Sequence, residues 1–231
     1  MWHGSDLSPG AKLVYRPDKL NMKQPRRLPF LRIALLLAAA VALVAAFIWL
    51  AAPKPAAQGL EEPPLAGAPI GGDFALTDQN GKRVTNDSLK GSYRLVYFGY
   101  SFCPDVCPVD VQRMAQGLKA FETTNPAAGA RVQPVFITVD PARDTPAVIK
   151  DFVAAFHPRL VGLTGTQAEI DTAKRAYRVY AAKGEGTDPQ NYLMDHSAFI
   201  YLMDPDGKPV MYFERADDAG AIAAGLAKWV R

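Results

Sequence analysis

The chain has 231 residues, 49% hydrophobic and 21% charged, with a formal net charge of +3 and only two cysteines. The first 32 positions hold seven of the 26 basic residues and two of the 23 acidic ones, so the rest of the chain carries 19 basic against 21 acidic side chains, a net −2. That balance offers no basic footprint, and no nucleic-acid partner is expected.

Residues 1–32 form a basic leader, in which Lys12, Arg16, Lys19, Lys23, Arg26, Arg27 and Arg32 outweigh Asp6 and Asp18. Residues 33–52 follow without a charge or a proline, long enough at about 1.5 Å per residue to cross a bilayer as a transmembrane helix. By the positive-inside rule the leader stays in the cytoplasm and the remaining chain is exported. A cleaved signal peptide would carry an apolar region of roughly 7–15 residues behind a short basic stretch. Both segments are longer here, so a retained single-pass anchor is expected. Residues 53–72, with Pro53, Pro55, Pro63, Pro64 and Pro69 among small residues, have the composition of an extended stalk. Residues 73–231 are long enough for one domain with a full core.

Within that domain strand and helix signals alternate. Phe74–Thr77 and Arg83–Thr85 flank Asn80-Gly81, a hairpin signal. Leu95–Tyr100 is predicted as a buried strand and Pro108–Phe121 as a helix, with Pro108 in the first turn, where its missing N–H costs little. A second strand is expected at Val132–Val139, and a helix at Thr145–Phe156 with Thr145 as its cap. Gln167–Tyr180 is predicted as a helix with Ile170, Ala173, Tyr177 and Tyr180 on one face. Ser197–Met203 reads as a strand, Asp204-Pro205-Asp206-Gly207 as a turn, Val210–Phe213 as its antiparallel mate and Asp218–Val230 as the closing helix. A β-α-β half, a helical connection and a β-β-α half predict an α/β, thioredoxin-like fold with helices on both faces of a mixed sheet.

Cys103 and Cys107 stand directly behind the first central strand, in Ser101-Phe102-Cys103-Pro104-Asp105-Val106-Cys107-Pro108. A helix N-terminus at this point is expected to favour thiolate at both sulfurs. One helical turn separates the two Cα atoms by about 6 Å, close enough for a disulfide or for a shared metal ion. Thioredoxins leave two residues between their cysteines and this chain leaves three, which widens the pair toward a chelate. A structural disulfide is the ordinary fate of two exported cysteines, but it leaves their place at the catalytic turn of such a fold unexplained.

A third ligand has three histidine candidates. His3 lies on the other side of the membrane, and His157, in Phe156-His157-Pro158, sits where histidines commonly meet the last carbonyls of a helix. His196 stands just before a core strand expected to neighbour the cysteine strand, and imidazole is a common partner of thiolates at metal sites. Cys103, Cys107 and His196 would make a soft site of low coordination number suited to copper, whereas structural zinc calls for a fourth protein ligand and none is evident. Met194 is expected to pack rather than ligate, and Asp195 to orient the ring or remain a solvated turn acid.

The motifs Phe98-Gly99-Tyr100-Ser101-Phe102-Cys103-Pro104-Asp105-Val106-Cys107-Pro108, Val135-Phe136-Ile137-Thr138-Val139-Asp140-Pro141-Ala142-Arg143-Asp144-Thr145, Gly162-Leu163-Thr164-Gly165, and Asp195-His196-Ser197 with Tyr201–Gly207 occur in this order. Together they resemble the Sco/SenC copper chaperones of cytochrome c oxidase assembly, across essentially the whole exported domain. The resemblance implies that Cys103, Cys107 and His196 bind one copper, as Cu(I) or Cu(II). Its destination would be the binuclear copper centre of cytochrome c oxidase subunit II, with other copper chaperones or thiol reductants as further partners. It also implies a thioredoxin-like scaffold in which Asp195-His196-Ser197 stands where thioredoxins usually carry a cis-proline. The charges of the Asp140–Asp144 loop are expected to be structural, as a buried ion pair, with partner contact as the alternative.

The rival class is an enzyme, a membrane-tethered thiol-disulfide oxidoreductase with Cys103 and Cys107 as redox-active thiols. A peroxiredoxin is disfavoured because Tyr100 occupies the position of its usual threonine. The expected location is a bacterial inner membrane with the C-terminal domain in the periplasm, rather than the mitochondrial inner membrane.

Overall fold

The computed structural model describes residues 28–51, 61–184, 188 and 192–231. Most of the basic leader, His3 and the first part of the stalk up to residue 60 lie outside the described residues. The chain divides into two units, Met1–Gln58 and Gly59–Arg231.

Among the described residues of the first unit, helix α1 runs Leu28–Ala51, and its segment Pro29–Leu50 is long and apolar enough to cross a membrane. It starts five residues before the expected span and takes in Arg32, because helix formers continue upstream of Ile33 and Pro29 fits a first turn.

The second unit is built on a seven-stranded mixed sheet. Its strands are β1 (Ala75–Asp78), β2 (Arg83–Thr85), β3 (Tyr93–Gly99), β4 (Val132–Thr138), β5 (Val161–Thr164), β8 (Ile200–Met203) and β9 (Pro209–Phe213). They lie in the order β2-β1-β5-β4-β3-β8-β9. β3 pairs parallel with β4, Val96 opposite Val135, and antiparallel with β8, Tyr97 opposite Ile200. All seven residues of β3 are buried, as expected of a central strand covered on both faces. Side chains alternate across the sheet: Tyr97 meets Asp110 of helix α2 (Val106–Thr124), while Phe98 points the other way against Tyr177, which follows helix α5 (Gln167–Ala176). A short helix α3 (Pro126–Gly129) leads into β4, α4 (Pro146–Ala154) packs on β5, and α6 (Ala219–Trp229) packs on α2. Close approach of α4 depends on Gly162, where an added Cβ would fall 2.1 Å from Ile149 Cγ2. The fold is thioredoxin-like, as the element order predicts.

Four local expectations are corrected. The connection between the halves contains β5, too short and too rich in glycine to register as a strand by periodicity. α5 ends at Ala176, because Arg178 turns back with φ 56°; Tyr177 is buried, but Tyr180 is 64% exposed and lies off the helix. The expected strand Ser197–Met203 begins only at Ile200, and the residues before it form β7 (Met194–His196), paired antiparallel with β6 (Ala181–Lys183) in a separate two-stranded sheet. α2 starts at Val106, which makes Pro108 its third residue, still among the positions whose N–H lacks an intrahelical partner.

Candidate metal centre

β3 delivers the chain to Gly99 and Tyr100, a short loop carries Cys103, and α2 opens with Cys107 in its first turn. Both cysteines are free thiols, Cys103 half-buried and Cys107 fully buried. Asp105, the residue capping α2, makes no side-chain bond to the helix. The Cys103 sulfur takes that place, accepting the Cys107 backbone N–H at 3.4 Å. Ser101, at the start of the loop, is pinned by the buried Asp144 carboxylate, which accepts its backbone N–H at 3.1 Å and its hydroxyl, together with the Thr138 hydroxyl at 2.6 Å. Burial pushes the Asp144 carboxyl above the usual range against those bonds.

Environment splits the two thiols. Burial raises Cys103, but the backbone N–H groups of Cys107 and Asp105 and the side chains of Cys107 and Tyr100 more than offset it, and its pKa falls below that of an ordinary thiol. For Cys107 burial dominates and its pKa rises well above the ordinary value. Thiolate character at both sulfurs, expected from the helix terminus, therefore holds for Cys103 alone. Gly99 makes room for this arrangement, since a Cβ there would lie 2.7 Å from Tyr97 Cε1 and 3.1 Å from Cys107 Sγ. The split has a chemical readout. Under reducing conditions Cys103 should be alkylated by iodoacetamide well before Cys107, with its reaction setting in at lower pH than a free cysteine's, as followed by peptide mass spectrometry. Equal modification rates would contradict the assignment.

His196 ends β7 opposite Ala181. Its Nδ1 lies 3.0 Å from the Ser197 carbonyl oxygen, which can only accept, so Nδ1 carries the proton and Nε2 presents a lone pair. That lone pair faces Cys107, with Nε2 3.2 Å from Sγ. Tyr97 and Tyr100 stand nearly perpendicular to the imidazole, with ring centroids 6.1 and 6.0 Å away. Burial, partly opposed by the Ser197 carbonyl, lowers the His196 pKa and so favours the neutral ring, the form that binds metals. Beneath the pair, the Tyr97 hydroxyl donates to Asp110 at 3.0 Å, Asp110 pairs with Arg113 at 3.2 Å, and Arg113 reaches the carbonyls of Glu214 and Asp217.

A cavity of about 430 Å³ opens over these groups, lined by Tyr100, Cys103, Leu193, Asp195, His196 and Arg215 among others. A larger groove of about 560 Å³ between α2 and α6 holds neither thiol nor imidazole. The donors meet as two pairs, thiol with thiol and Cys107 with His196; among the described residues no three His, Cys, Asp or Glu side chains form a ready-made cage. Two sulfurs and one neutral nitrogen fit a soft ion of low coordination number. The other residues named from sequence fall outside this donor set. Met194 packs against the core, Asp195 is exposed, and His157, rather than meeting helix carbonyls, lies 3.4 Å from Glu122 and accepts the Arg159 N–H. The Asp140–Arg143 ion pair is present and nearly buried. Periodicity gave no sign of Tyr192, whose hydroxyl donates to Asp140 at 2.7 Å.

Comparison with known proteins places these features among relatives. Residues 62–231 match the SCO1/SenC family model. The human mitochondrial protein SCO1 homolog is 42% identical over 164 residues, 70% of this chain and 53% of that protein. Among solved structures, Bradyrhizobium japonicum ScoI with copper bound is 46% identical with a TM-score of 0.62, covering 69% of this chain and 99% of its own. Yeast Sco1 with copper bound is 41% identical with a TM-score of 0.64, covering 70% and 88%. The chain spans about half the length of the curated relatives it matches.

Proposed function

The chain belongs to the SCO1/SenC family, and from that premise we propose that it is a membrane-anchored copper metallochaperone that binds one copper through Cys103, Cys107 and His196. The observation that carries the reading is the His196 Nε2 lone pair, 3.2 Å from Cys107 Sγ and fixed by the Nδ1–H bond to Ser197. Copper is the cargo. Cys103, half-buried and the more acidic thiol, would receive it from the cavity, and Cys107 and His196 would close on it from beneath. Loading would release the Cys107 proton, which burial holds on the sulfur, so apparent affinity should climb with pH.

In this reading residues 1–32 are cytoplasmic, 33–52 cross a bacterial inner membrane, 53–72 form the stalk and 73–231 work in the periplasm. The client is the binuclear copper centre of cytochrome c oxidase subunit II; the copper-bound relatives at over 40% identity support copper as the cargo. The test is anaerobic Cu(I) titration of the full-length protein in detergent against a competing chelator. The reduced protein should take up one Cu(I), and the form with a Cys103–Cys107 disulfide, verified by thiol counting, should take up none, because a disulfide sulfur lacks the charge the metal needs. Equal uptake by both forms would refute the thiolate site.

The lowered pKa and partial exposure of Cys103 also favour a second reading, a thiol-disulfide reductase. The Cys103 thiolate would attack a client disulfide, and Cys107 would resolve the mixed disulfide, leaving a reduced client dithiol and an oxidised Cys103–Cys107 pair. That reaction has no need of the His196 nitrogen as a ligand.

A further inference from the structure

The two ligand-bearing segments belong to different parts of the fold. Cys103 and Cys107 follow a central strand of the main sheet, whereas His196 sits on the separate two-stranded β6–β7 sheet, and an isolated hairpin is marginally stable. Beyond the contacts of His196 itself with Cys107, Tyr97 and Tyr100, what joins them centres on Arg143, in the loop after β4. Its guanidinium lies 3.7 Å from the ring centroid of Tyr192, which precedes β7, and 4.9 and 5.7 Å from Phe102 and Tyr100 of the thiol loop. Asp140 ties the same pieces together, accepting from Arg143 Nε and from the Tyr192 hydroxyl. Lys183 of β6 places its ammonium 3.6 Å from the Tyr192 centroid, so two cations grip this ring. Arg143 Nη2 is buried with no hydrogen-bond partner among the described residues. An ion pair alone would leave less of the guanidinium unmatched; its planar face is committed to the aromatic rings.

We infer that Arg143 is a positioning residue that clamps the His196 hairpin to the thiol loop and thereby sets how fully the imidazole takes part in copper binding. The inference rests on the copper-site reading above. It also explains why the cation is arginine: a lysine ammonium cannot lie flat on Tyr192 while bonding Asp140.

The test uses the full-length protein in detergent and four variants: Arg143→Met, Arg143→Lys, His196→Ala and the His196→Ala/Arg143→Met double. Readouts are Cu(II) and Cu(I) affinity and the nitrogen hyperfine coupling of the Cu(II) form by electron paramagnetic resonance. Arg143→Met should weaken Cu(II) binding roughly 10-fold, the lower end for residues that orient a ligand, reduce the nitrogen coupling and affect Cu(I) less. Arg143→Lys should fall short of full rescue. In the His196→Ala background Arg143→Met should add no further loss, since it acts through the imidazole. Parent-like affinity and nitrogen coupling in Arg143→Met, or an equal extra loss in the double variant, would overturn the clamp while leaving the ligand reading intact. Undiminished copper binding by His196→Ala would overturn the ligand reading itself, and the clamp with it. Should Arg143→Met not fold, Arg143→Lys and Tyr192→Phe carry the test, and parent-like nitrogen coupling in both overturns the clamp.

Discussion

Serine in place of either cysteine should cost the reduced protein about 100-fold or more in Cu(I) affinity, on the order of 3 kcal/mol. A hydroxyl is a hard, neutral donor where the ion calls for a soft anion. The loss should come without unfolding, and the two positions explain why. At Cys103 a serine oxygen can still accept the Cys107 N–H that the sulfur accepts now, as serine does at helix starts generally. At Cys107 the hydroxyl can donate to His196 Nε2, as the thiol is placed to do; the expected stability cost is about 1–2 kcal/mol, from lost sulfur packing at a fully buried site. Competitive titration beside a thermal melt separates the two effects. Parent-like copper affinity in either folded serine variant would remove that cysteine from the donor set.

His196→Ala should weaken copper binding by about 10-fold or more, at least about 1.4 kcal/mol, and Cu(II) more than Cu(I), because the divalent ion favours nitrogen donors. Nε2 contacts Cys107 Sγ directly, so removing the ring should also alter the resolving step of disulfide exchange, while the Cys103 pKa, lowered chiefly by backbone N–H groups, stays nearly unchanged. If the ring serves packing alone, edge-on to Tyr97 and Tyr100, the variant would melt earlier and hold copper as tightly as the parent. That pattern would shift the assignment to the reductase.

The miss at the β6–β7 hairpin has a plain cause. Ala181, Ala182 and Lys183 have weak strand propensity, and their pairing with Met194–His196 spans a connection too long for a turn signal. The early end of α5 is similar: Tyr177 and Tyr180 keep the helical spacing, but Arg178 adopts a left-handed conformation that no glycine announces.

Sequence alone was sufficient for what is encoded over short distances. The apolar length of α1, the strand that runs into Cys103 and Cys107, the Thr145 cap of α4 and the alternation that yields a mixed sheet all depend on neighbours within one or two turns. The choice of His196 over His157 was legible only as order along the chain, since both stand near element ends. Tertiary structure decided the rest: that a nitrogen 89 positions away lies 3.2 Å from a sulfur, that burial raises the pKa of one thiol while hydrogen bonds lower that of the other one turn away, and that Arg143 meets Tyr192. Desolvation and long-range contact depend on what the whole chain packs around a group, and no local pattern carries that information.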